Sequence, residues 1–390
     1  MLELSALLVA CSAALLVATW LGYPVWLSLR ARSRAHLPAQ RLDDVRPTVS
    51  IVVVVQDAEA ALRPLLESLL TMGYPAERRR ILVVSNASRD FTDAVASLYA
   101  DRGVELLRVM RRHRTAAAAE NFVRKYVDSD VVVVVHPEAR PRPAALAALV
   151  ERFADPTVGV AYGREISAAL TPPGDGNGRS LHDRYERWLR DRESQVSGTV
   201  VARRALYAVR TALYRAPLSA ALSPDFAPIL TARERGFRAV YADNAEAVML
   251  RERSPRGDYG QRMRTVTRDV ATLLEKPHLL DPRRYGEFSF ILLGHKLGRW
   301  LSPWATLAAV VGLLLLAPAV PWARAAVAVA AALGLSAVLT WDLPAETTLG
   351  RAIVLPGRLA ASGLATALAL VRALAALHGA APRVPVGAQM

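Results

Sequence analysis

Two hydrophobic patterns divide the 390 residues of the chain. Long apolar stretches stand at residues 2–29 and 301–339, and a third, weakened by two arginines, stands at 353–377. Because about 20 apolar residues span a bilayer as a helix, the first stretch predicts one transmembrane helix, and the C-terminal stretches predict two or three. Between them, residues 47–163 alternate short β-branched runs with segments of helical spacing.

This alternation predicts an α/β fold with a mostly parallel sheet. Uninterrupted apolar runs are typical of strands that helices cover on both faces. The predicted strands are 50–55, 81–84, 104–107, 131–135 and 158–162, and the predicted helices between them are 62–69, 91–99, 116–126 and 144–153. Ligands of such sheets bind beyond the carboxyl ends of the strands. The polar residues directly after the strands are therefore candidate site residues: Gln56-Asp57, Ser85-Asn86 and His136-Pro137-Glu138.

The second half of the soluble segment is less regular. A Pro/Gly-rich loop at 171–178 precedes the elements that the pattern predicts: helix 181–193, strand 199–209, helix 226–236, a strand pair at 239–241 and 245–250, and a basic helix at 259–274. An amphipathic segment directly before an apolar stretch is typical of an interfacial helix. The predicted boundaries are 1–29 for an N-terminal anchor, 45–280 for the soluble domain, 286–300 for the interfacial helix and 301–378 for the C-terminal transmembrane helices.

Charged residues next to the first apolar stretch predict its orientation. Arg30, Arg32, Arg34 and Arg41 follow it, and no basic residue precedes it. The positive-inside rule therefore places the soluble domain in the cytoplasm. The stretch is longer than the core of a signal peptide and lacks a basic start, which favours a retained anchor. We expect a multi-pass protein of a bacterial-type inner membrane.

Composition limits the function classes. The net charge of +14 is explained mostly by an arginine-rich composition, and it also favours an anionic membrane surface or anionic substrates. No basic patch interleaved with aromatic residues is present, so nucleic acid is not an expected partner. The single cysteine, Cys11, lies within the first apolar stretch and leaves no disulfide framework or cysteine-based metal site.

A series of short motifs carries a family resemblance from residue 47 to residue 303. These motifs lie at 47–51, 65–69 with Tyr74-Pro75, 83–90, 153–159, 185–186, 193–194, 206–210, 236–241 and 295–303. In this order and spacing they resemble the membrane-bound family-2 glycosyltransferases, a group that includes polysaccharide-synthase-like enzymes. The resemblance implies a GT-A-like (Rossmann-like) fold.

The resemblance also implies a reaction and its partners. Such enzymes transfer a sugar from a nucleotide-sugar donor to a lipid or glycan acceptor, here at the cytoplasmic face of the membrane in cell-envelope or exopolysaccharide synthesis. A divalent ion, Mn²⁺ or Mg²⁺, and basic groups neutralise the diphosphate leaving group. A carboxylate deprotonates the acceptor hydroxyl.

The nucleotide-binding motifs depart from the family pattern. Asn86 stands where the second-strand motif usually carries an aspartate, and it can hydrogen-bond without supplying charge. Asp90 matches the motif, and its alternative role is a helix N-terminal acid stabilised by the helix dipole. Asp57, after the first strand, completes the predicted nucleotide group. The family's Gly-Lys pair has become Thr115-Ala116, which removes a phosphate-facing cation.

The metal-binding element is also altered. The Asp-x-Asp element after the fourth strand has become His136-Pro137-Glu138. His136 and Glu138 are both legitimate ligands for a divalent ion such as manganese. The alternative is a solvated loop, which Pro137, Pro141 and Pro143 favour.

The remaining candidates come from the later motifs. Asp225 aligns with the acidic pair that supplies the general base, and its alternative role is a helix N-cap. Gln261 and Arg264 match a motif that grips the diphosphate, but the motif's tryptophan is lost, which argues against a processive polymer synthase. In the family, the segment that contains Arg203 and Arg204 usually consists of small residues. The two arginines either replace the charge of a metal ion or fill the cleft.

Three functional hypotheses remain open from the sequence. The chain is an active transferase, or a catalytically inactive member that binds a nucleotide or a partner polysaccharide synthase, or a membrane scaffold. The departures fall near the expected ligand edge, whereas the packing motifs are intact. Resemblance in fold alone does not establish transfer.

Overall fold

A computed structural model describes residues 1–33, 46–110, 112–113, 116–167, 181–217, 219, 222–249, 255–340 and 355–379. The chain divides into two compact units. The membrane unit comprises Met1–Pro24, Arg253–Glu275 and Leu292–Met390, and the sheet unit comprises Val25–Glu252 and Lys276–Ile291. Arg34, Arg41, Thr115 and the predicted loop 171–178 lie outside the described residues.

The sheet unit is built on one eight-stranded mixed sheet. Its strands are β1 Val49–Val55, β2 Arg79–Asn86, β3 Val104–Val109, β4 Val131–Val135, β5 Ala139–Pro141, β6 Val158–Ser167, β7 Leu206–Arg210 and β8 Arg238–Met249. Their order in the sheet is β3-β2-β1-β4-β7-β6-β8-β5.

The first half of the sheet is parallel, as the sequence predicts. Strand β1 pairs in parallel with β2 and β4, so that Val53 lies beside Val83 and Val135. All three side chains are fully or almost fully buried, because helices cover both faces of this part of the sheet. The five strands predicted between residues 50 and 162 are confirmed.

Two expectations for the second half are wrong. The strand predicted at 199–209 is limited to Leu206–Arg210, which pairs antiparallel with both β4 and β6. The pair predicted at 239–241 and 245–250 is one strand, β8, that follows β6 throughout. The polar residues Asp243 and Asn244 lie where the pairing register shifts between Gly163 and Arg164, so they form a bulge rather than a hairpin turn.

Helices of the sheet unit connect the strands. They are α2 Tyr23–Ser33, α3 Glu59–Leu70, α4 Thr92–Ser97, α5 Ala116–Val123, α6 Ala145–Glu151, α7 Leu181–Val196, α8 Thr211–Tyr214, α9 Ala227–Glu234, α11 Pro282–Tyr285 and α12 Glu287–Ile291. Helix α3 shows how they are held. Its residues Leu62, Leu65, Leu66 and Leu69 recur at helical spacing and are completely buried in the core with the strands.

Strand direction brings the candidate residues to one side of the sheet. Strands β1, β2 and β4 end on this side, and β6 and β8, which run in the same sense, end there too. Strand β7 runs in the opposite sense and begins there. We call this side the carboxyl edge. It contains residues 56–58, 86–90, 136–138, 163–167, 203–206 and 243–246.

The membrane unit contains the apolar helices. Its helices are α1 Leu2–Val17, α10 Pro255–Glu275, α13 Gly298–Leu316, α14 Pro321–Leu339 and α15 Leu355–Gly379. Among the described residues, four stretches are long and apolar enough to cross a membrane: Leu2–Ser33, Glu287–Leu316, Pro321–Leu339 and Leu359–Ala376. One of them is N-terminal and three are C-terminal, which favours the larger of the two numbers that the sequence predicts for the C-terminal helices.

Close packing and polar contacts join the helices of the membrane unit. A Cβ on Gly312 would lie 2.7 Å from Val9 Cγ2. Helices α1 and α13 can therefore pack closely because Gly312 has no side chain. Helix α10 belongs to this unit, with Arg262 Nε donating to Thr366 Oγ1 of α15 at 3.2 Å. Lys296 and Asp269 form a mostly buried ion pair at 2.6 Å.

The connection after α7 generates a stability prediction. Gly198 has φ +112°, and a Cβ there would lie 2.9 Å from Ala239 O, a backbone atom of β8 that cannot move aside. We expect Gly198→Ala to destabilise the protein by about 3 kcal/mol or more, from backbone strain plus this clash. Gly236 is the matched control, because its φ is +82° but nothing lies within 4 Å of its Cβ position. Gly236→Ala should cost only about 1 kcal/mol. Thermal unfolding in detergent measures both, and equal losses would contradict the steric argument.

Candidate functional site

Two turns with strained backbone lie at the carboxyl edge. Asp57 follows β1 with φ 48° and Ala87 follows β2 with φ 52°, and among the described residues only these two combine a positive φ with a side chain. Such positions cost about 1–3 kcal/mol and persist where the surroundings hold them, often at functional sites. Here hydrogen bonds between the two turns hold them. The amide of Asp57 donates to Ser88 Oγ at 3.2 Å, and the amide of Arg89 donates to Asp57 Oδ1 at 2.7 Å.

The predicted nucleotide residues Asp57 and Asn86 have protein partners. The second carboxylate oxygen of Asp57 pairs with the Arg112 guanidinium. Asn86 is buried, and its Nδ2 donates to Gln56 Oε1 at 2.8 Å and to His113 O at 3.0 Å. Its Oδ1 accepts from the His113 amide at 2.8 Å. Asn86 therefore fastens the segment after β3 to the carboxyl edge.

Asp90 occupies the helix-start position that its alternative role requires. Its Oδ2 accepts from the amide of Glu59, the first residue of α3, at 3.1 Å. Its Oδ1 accepts from the amide of Thr92, the first residue of α4, at 3.0 Å. Desolvation raises the pKa of Asp90, but hydrogen bonds from Thr92 and Glu59 outweigh it, and the pKa is lowered. The carboxylate thus serves two helix starts at once.

His136 and Glu138 lie together after β4 at the carboxyl edge. His136 Nδ1 accepts the Glu138 amide at 3.2 Å. Glu138 Oε2 is buried without a hydrogen-bond partner, which leaves one carboxylate as a donor. No group of three or more His, Cys, Asp and Glu suited to a metal occurs in the described part of the chain. His136 and Glu138 thus offer at most two side-chain donors to an Mn²⁺ or Mg²⁺ ion.

Three tyrosines lie side by side on one face of the sheet near the same edge. Tyr207 of β7 is in register with Tyr162 of β6, which is in register with Tyr241 of β8. The rings of Tyr162 and Tyr207 stack at 5.4 Å. Guanidinium groups cover both ends of the row, with Arg204 5.4 Å from the Tyr207 ring and Arg190 4.7 Å from the Tyr241 ring.

A buried ion-pair network lies beside the Tyr207 end of this row. Glu120, 1% exposed, contacts Arg204 Nη2 at 2.5 Å and Arg124 Nη2 at 3.3 Å, and it accepts from the Tyr207 hydroxyl at 3.2 Å. Burial acts to lower the pKa of Arg204, but the carboxylates of Glu120 and Asp225 outweigh it and raise the pKa. Arg204 is therefore a permanently charged group neutralised from within the protein.

Asp225 stands on the other side of Arg204. Its Oδ1 lies 3.8 Å from Arg204 Nε, and its side chain is 32% exposed. The Tyr162 hydroxyl donates to its carbonyl oxygen at 3.0 Å. The N-cap of α9 is Phe226, without a side-chain cap, so the N-cap role considered for Asp225 is wrong. Its carboxylate instead faces the ion-pair network at the ligand side of the sheet.

Comparison with known proteins agrees with this geometry. Residues 50–204 match the family model described as glycosyl transferase family 2. Residues 50–204 are thus similar to a family-2 glycosyltransferase domain. The resemblance drawn from the motifs and the GT-A-like fold class are thereby confirmed.

The chain is similar to a mannosyltransferase of known structure and, over a shorter stretch, to a glucosyldiacylglycerol synthase. The mannosyltransferase PcManGT from Pyrobaculum calidifontis, solved in complex with GDP-Man and Mn²⁺, has a similar fold, with a TM-score of 0.69 and 23% identity over 92% of this chain and 98% of that one. The beta-monoglucosyldiacylglycerol synthase of Synechocystis sp. is 27% identical over 126 residues, which are 31% of this chain and 26% of that protein. The match thus spans about a quarter of that relative.

The remaining predicted residues fall in different places. Arg203 pairs with Glu165 of β6 at 3.2 Å, at the carboxyl edge. His136 lies next to this segment, because its amide donates to Ala205 O at 3.1 Å. Gln261 and Arg264 lie on α10, which belongs to the membrane unit. The sheet unit therefore brings all the predicted site residues except these two to one edge of its sheet.

Sequence reasoning missed two charged residues of the sheet unit. The sequence pattern could have identified Glu120, since it follows an alanine run on a predicted helix and stands four residues before Arg124. It could not have identified Arg190, because this residue lies in a helix with many charged residues, and only the fold shows that it is buried.

The network around Glu120 generates a second prediction. Removing one partner leaves a buried charge uncompensated, so Glu120→Gln and Arg204→Met should each destabilise the protein by about 3–5 kcal/mol. The double variant should lose much less than the sum of the two, because neither charge remains. Thermal unfolding of the four proteins measures the coupling. Additive losses would show that the two side chains do not form the pair described.

Proposed function

We propose that the chain transfers a sugar from a nucleotide-sugar donor to a lipid or glycan acceptor. The observation that carries this proposal is the position of Asp225, with a partly exposed carboxylate, at the carboxyl edge of a sheet unit that matches the family-2 model over residues 50–204. PcManGT, whose fold is similar, binds GDP-Man. Cell-envelope or exopolysaccharide synthesis is the setting that fits such a transfer.

In this mechanism Asp225 is the general base. The acceptor hydroxyl transfers its proton to the Asp225 carboxylate as its oxygen attacks the anomeric carbon of the donor. The bond between the sugar and the nucleoside diphosphate breaks, and the diphosphate leaves with the bonding electron pair. Arg204, whose Nε lies 3.8 Å from Asp225 Oδ1, favours the ionised carboxylate that accepts this proton.

No step of this mechanism uses a metal ion of the protein. The resemblance implies Mn²⁺ or Mg²⁺, which would neutralise the diphosphate, but His136 and Glu138 supply at most two side-chain donors for it. Basic side chains at the carboxyl edge are the groups that remain for this task.

We propose the cytoplasmic face of a bacterial-type inner membrane as the site of action. Arg30 and Arg32 lie in the last turn of α2, at the end of the first apolar stretch. By the positive-inside rule this end faces the cytoplasm. The donor nucleotide sugar and a membrane-embedded acceptor are then both within reach of a membrane-associated protein.

A second candidate is a catalytically inactive glycosyltransferase that serves as partner or scaffold of a polysaccharide synthase. One observation favours it: the polar groups of Asp57 and Asn86, expected to bind the nucleotide, already have partners within the protein. A stable protein partner without any donor turnover would support this candidate over the first.

Substitution of the base tests the transferase directly. Asp225→Asn should reduce turnover by about 10²–10⁴-fold, the usual contribution of a general base, while donor binding stays at the wild-type level. Transfer of radiolabelled sugar from UDP and GDP donors, in nanodiscs with bacterial lipid extract, measures turnover. Asp101→Asn, an exposed position away from the carboxyl edge, is the control. Unchanged turnover in Asp225→Asn would remove this residue from the mechanism.

A further inference from the structure

Arg190 is a buried cation that no carboxylate pairs with among the described residues. It is 9% exposed, on α7, with its guanidinium over the Tyr241 ring at 4.7 Å. Within the described residues its guanidinium makes one hydrogen bond, which Nε donates to the carbonyl oxygen of Glu186 at 3.2 Å. A buried charge is costly unless it is paired. None of the described residues supplies a carboxylate paired with this guanidinium.

The charged groups nearest to Arg190 do not change this conclusion. Glu193 is fully buried, but its Oε2 accepts from the Thr199 hydroxyl at 3.0 Å and from the Val200 amide at 3.4 Å. Burial raises the pKa of Tyr241 to about 12, so the phenol is neutral at physiological pH. Glu186 and Glu193 attract Arg190 only through space, without an ion pair.

A second cation, Arg203, lies at the carboxyl edge, close enough to Arg190 to repel its charge. Burial lowers the pKa of Arg190, and repulsion from Arg203 adds to this effect. The side chain of Arg203 is 41% exposed and pairs with Glu165 at 3.2 Å, so a stronger anion can displace that carboxylate. On the same helix as Arg190, Arg187 lies 3.9 Å from Asp243 at the bulge of β8, which places this end of α7 at the ligand side of the sheet.

We propose that Arg190 and Arg203 form an anion site that binds the phosphate groups of a ligand without a metal ion. The proposal deepens and rests on the proposed function, because the diphosphate of the donor is the favoured source. A phosphate group on a lipid acceptor offers the same chemistry. Guanidinium groups match phosphate oxygens in geometry and charge. Arg204 is not part of the site, since Glu120 already neutralises it.

Calorimetric titration of the detergent-purified full chain tests the site. The probes are inorganic pyrophosphate, UDP, GDP and octyl phosphate, each with EDTA and again with manganese. We expect binding in EDTA, and we expect Arg190→Gln to weaken it by about tenfold or more, the worth of charge-assisted hydrogen bonds. Arg184→Gln removes the same charge from an exposed position on the same helix and should leave the affinity unchanged.

A gain-of-affinity variant separates binding from folding defects. Glu165→Gln releases Arg203 from its ion pair and should tighten pyrophosphate binding by up to about fivefold at low salt. Arg190→Gln should also remove the thermal stabilisation by pyrophosphate without lowering the melting temperature of the ligand-free protein. A structural arginine would instead lower that temperature.

Different results distinguish the ligand source from failure of the proposal. Tighter binding of UDP or GDP than of octyl phosphate supports the donor diphosphate, and the reverse supports a lipid phosphate at the same site. Wild-type affinity in Arg190→Gln overturns the proposal, as does absence of binding by every probe. A manganese-dependent gain that His136→Ala/Glu138→Ala abolishes would also overturn it. Sugar transfer is measured separately. If Arg190→Gln transfers sugar and binds phosphate as the wild type does, the anion site is rejected but the proposed transferase activity is not.

Discussion

The buried ion pair between Glu120 and Arg204 is the interaction on which the carboxyl edge depends. Glu120 of α5 contacts Arg204, just before β7, together with Arg124 and the Tyr207 hydroxyl. A carboxylate that is 1% exposed is tolerated only with such partners. The pair therefore holds α5 to the start of β7 and places Arg204 against Asp225, the candidate base.

Internal pairing is the common feature of this edge. Asp57, Asn86 and Asp90 hold the turns after β1 and β2, and Glu120 holds the start of β7. These contacts lie on the side of the sheet where ligands bind in folds of this kind. Arg190 is the exception, because no described carboxylate pairs with its buried charge, and it marks the position at which we propose that an anion binds.

Much of the fold could be predicted because its signals are local. Runs of valine predicted β1 and β4, and strand direction then brought Asp57, Asn86 and His136 to one edge. The second half of the sheet could not be predicted in the same way. The polar pair at Asp243 resembles a turn in the sequence, yet the parallel partner β6 absorbs it as a bulge within one strand.

By itself the sequence determined the membrane stretches, the buried strands and the family of the soluble domain, because hydrophobic periodicity and motif spacing depend on neighbours along the chain. Only the tertiary structure decided how each charge is used. Arg204 and Arg190 are both arginines beside a tyrosine of the same row. Arg204 pairs with Glu120, 84 positions away, whereas Arg190 pairs with no carboxylate of the described chain. Burial and ion pairing are set by residues that are distant in sequence and adjacent only in the fold, and this distinction separates a structural cation from a candidate binding site.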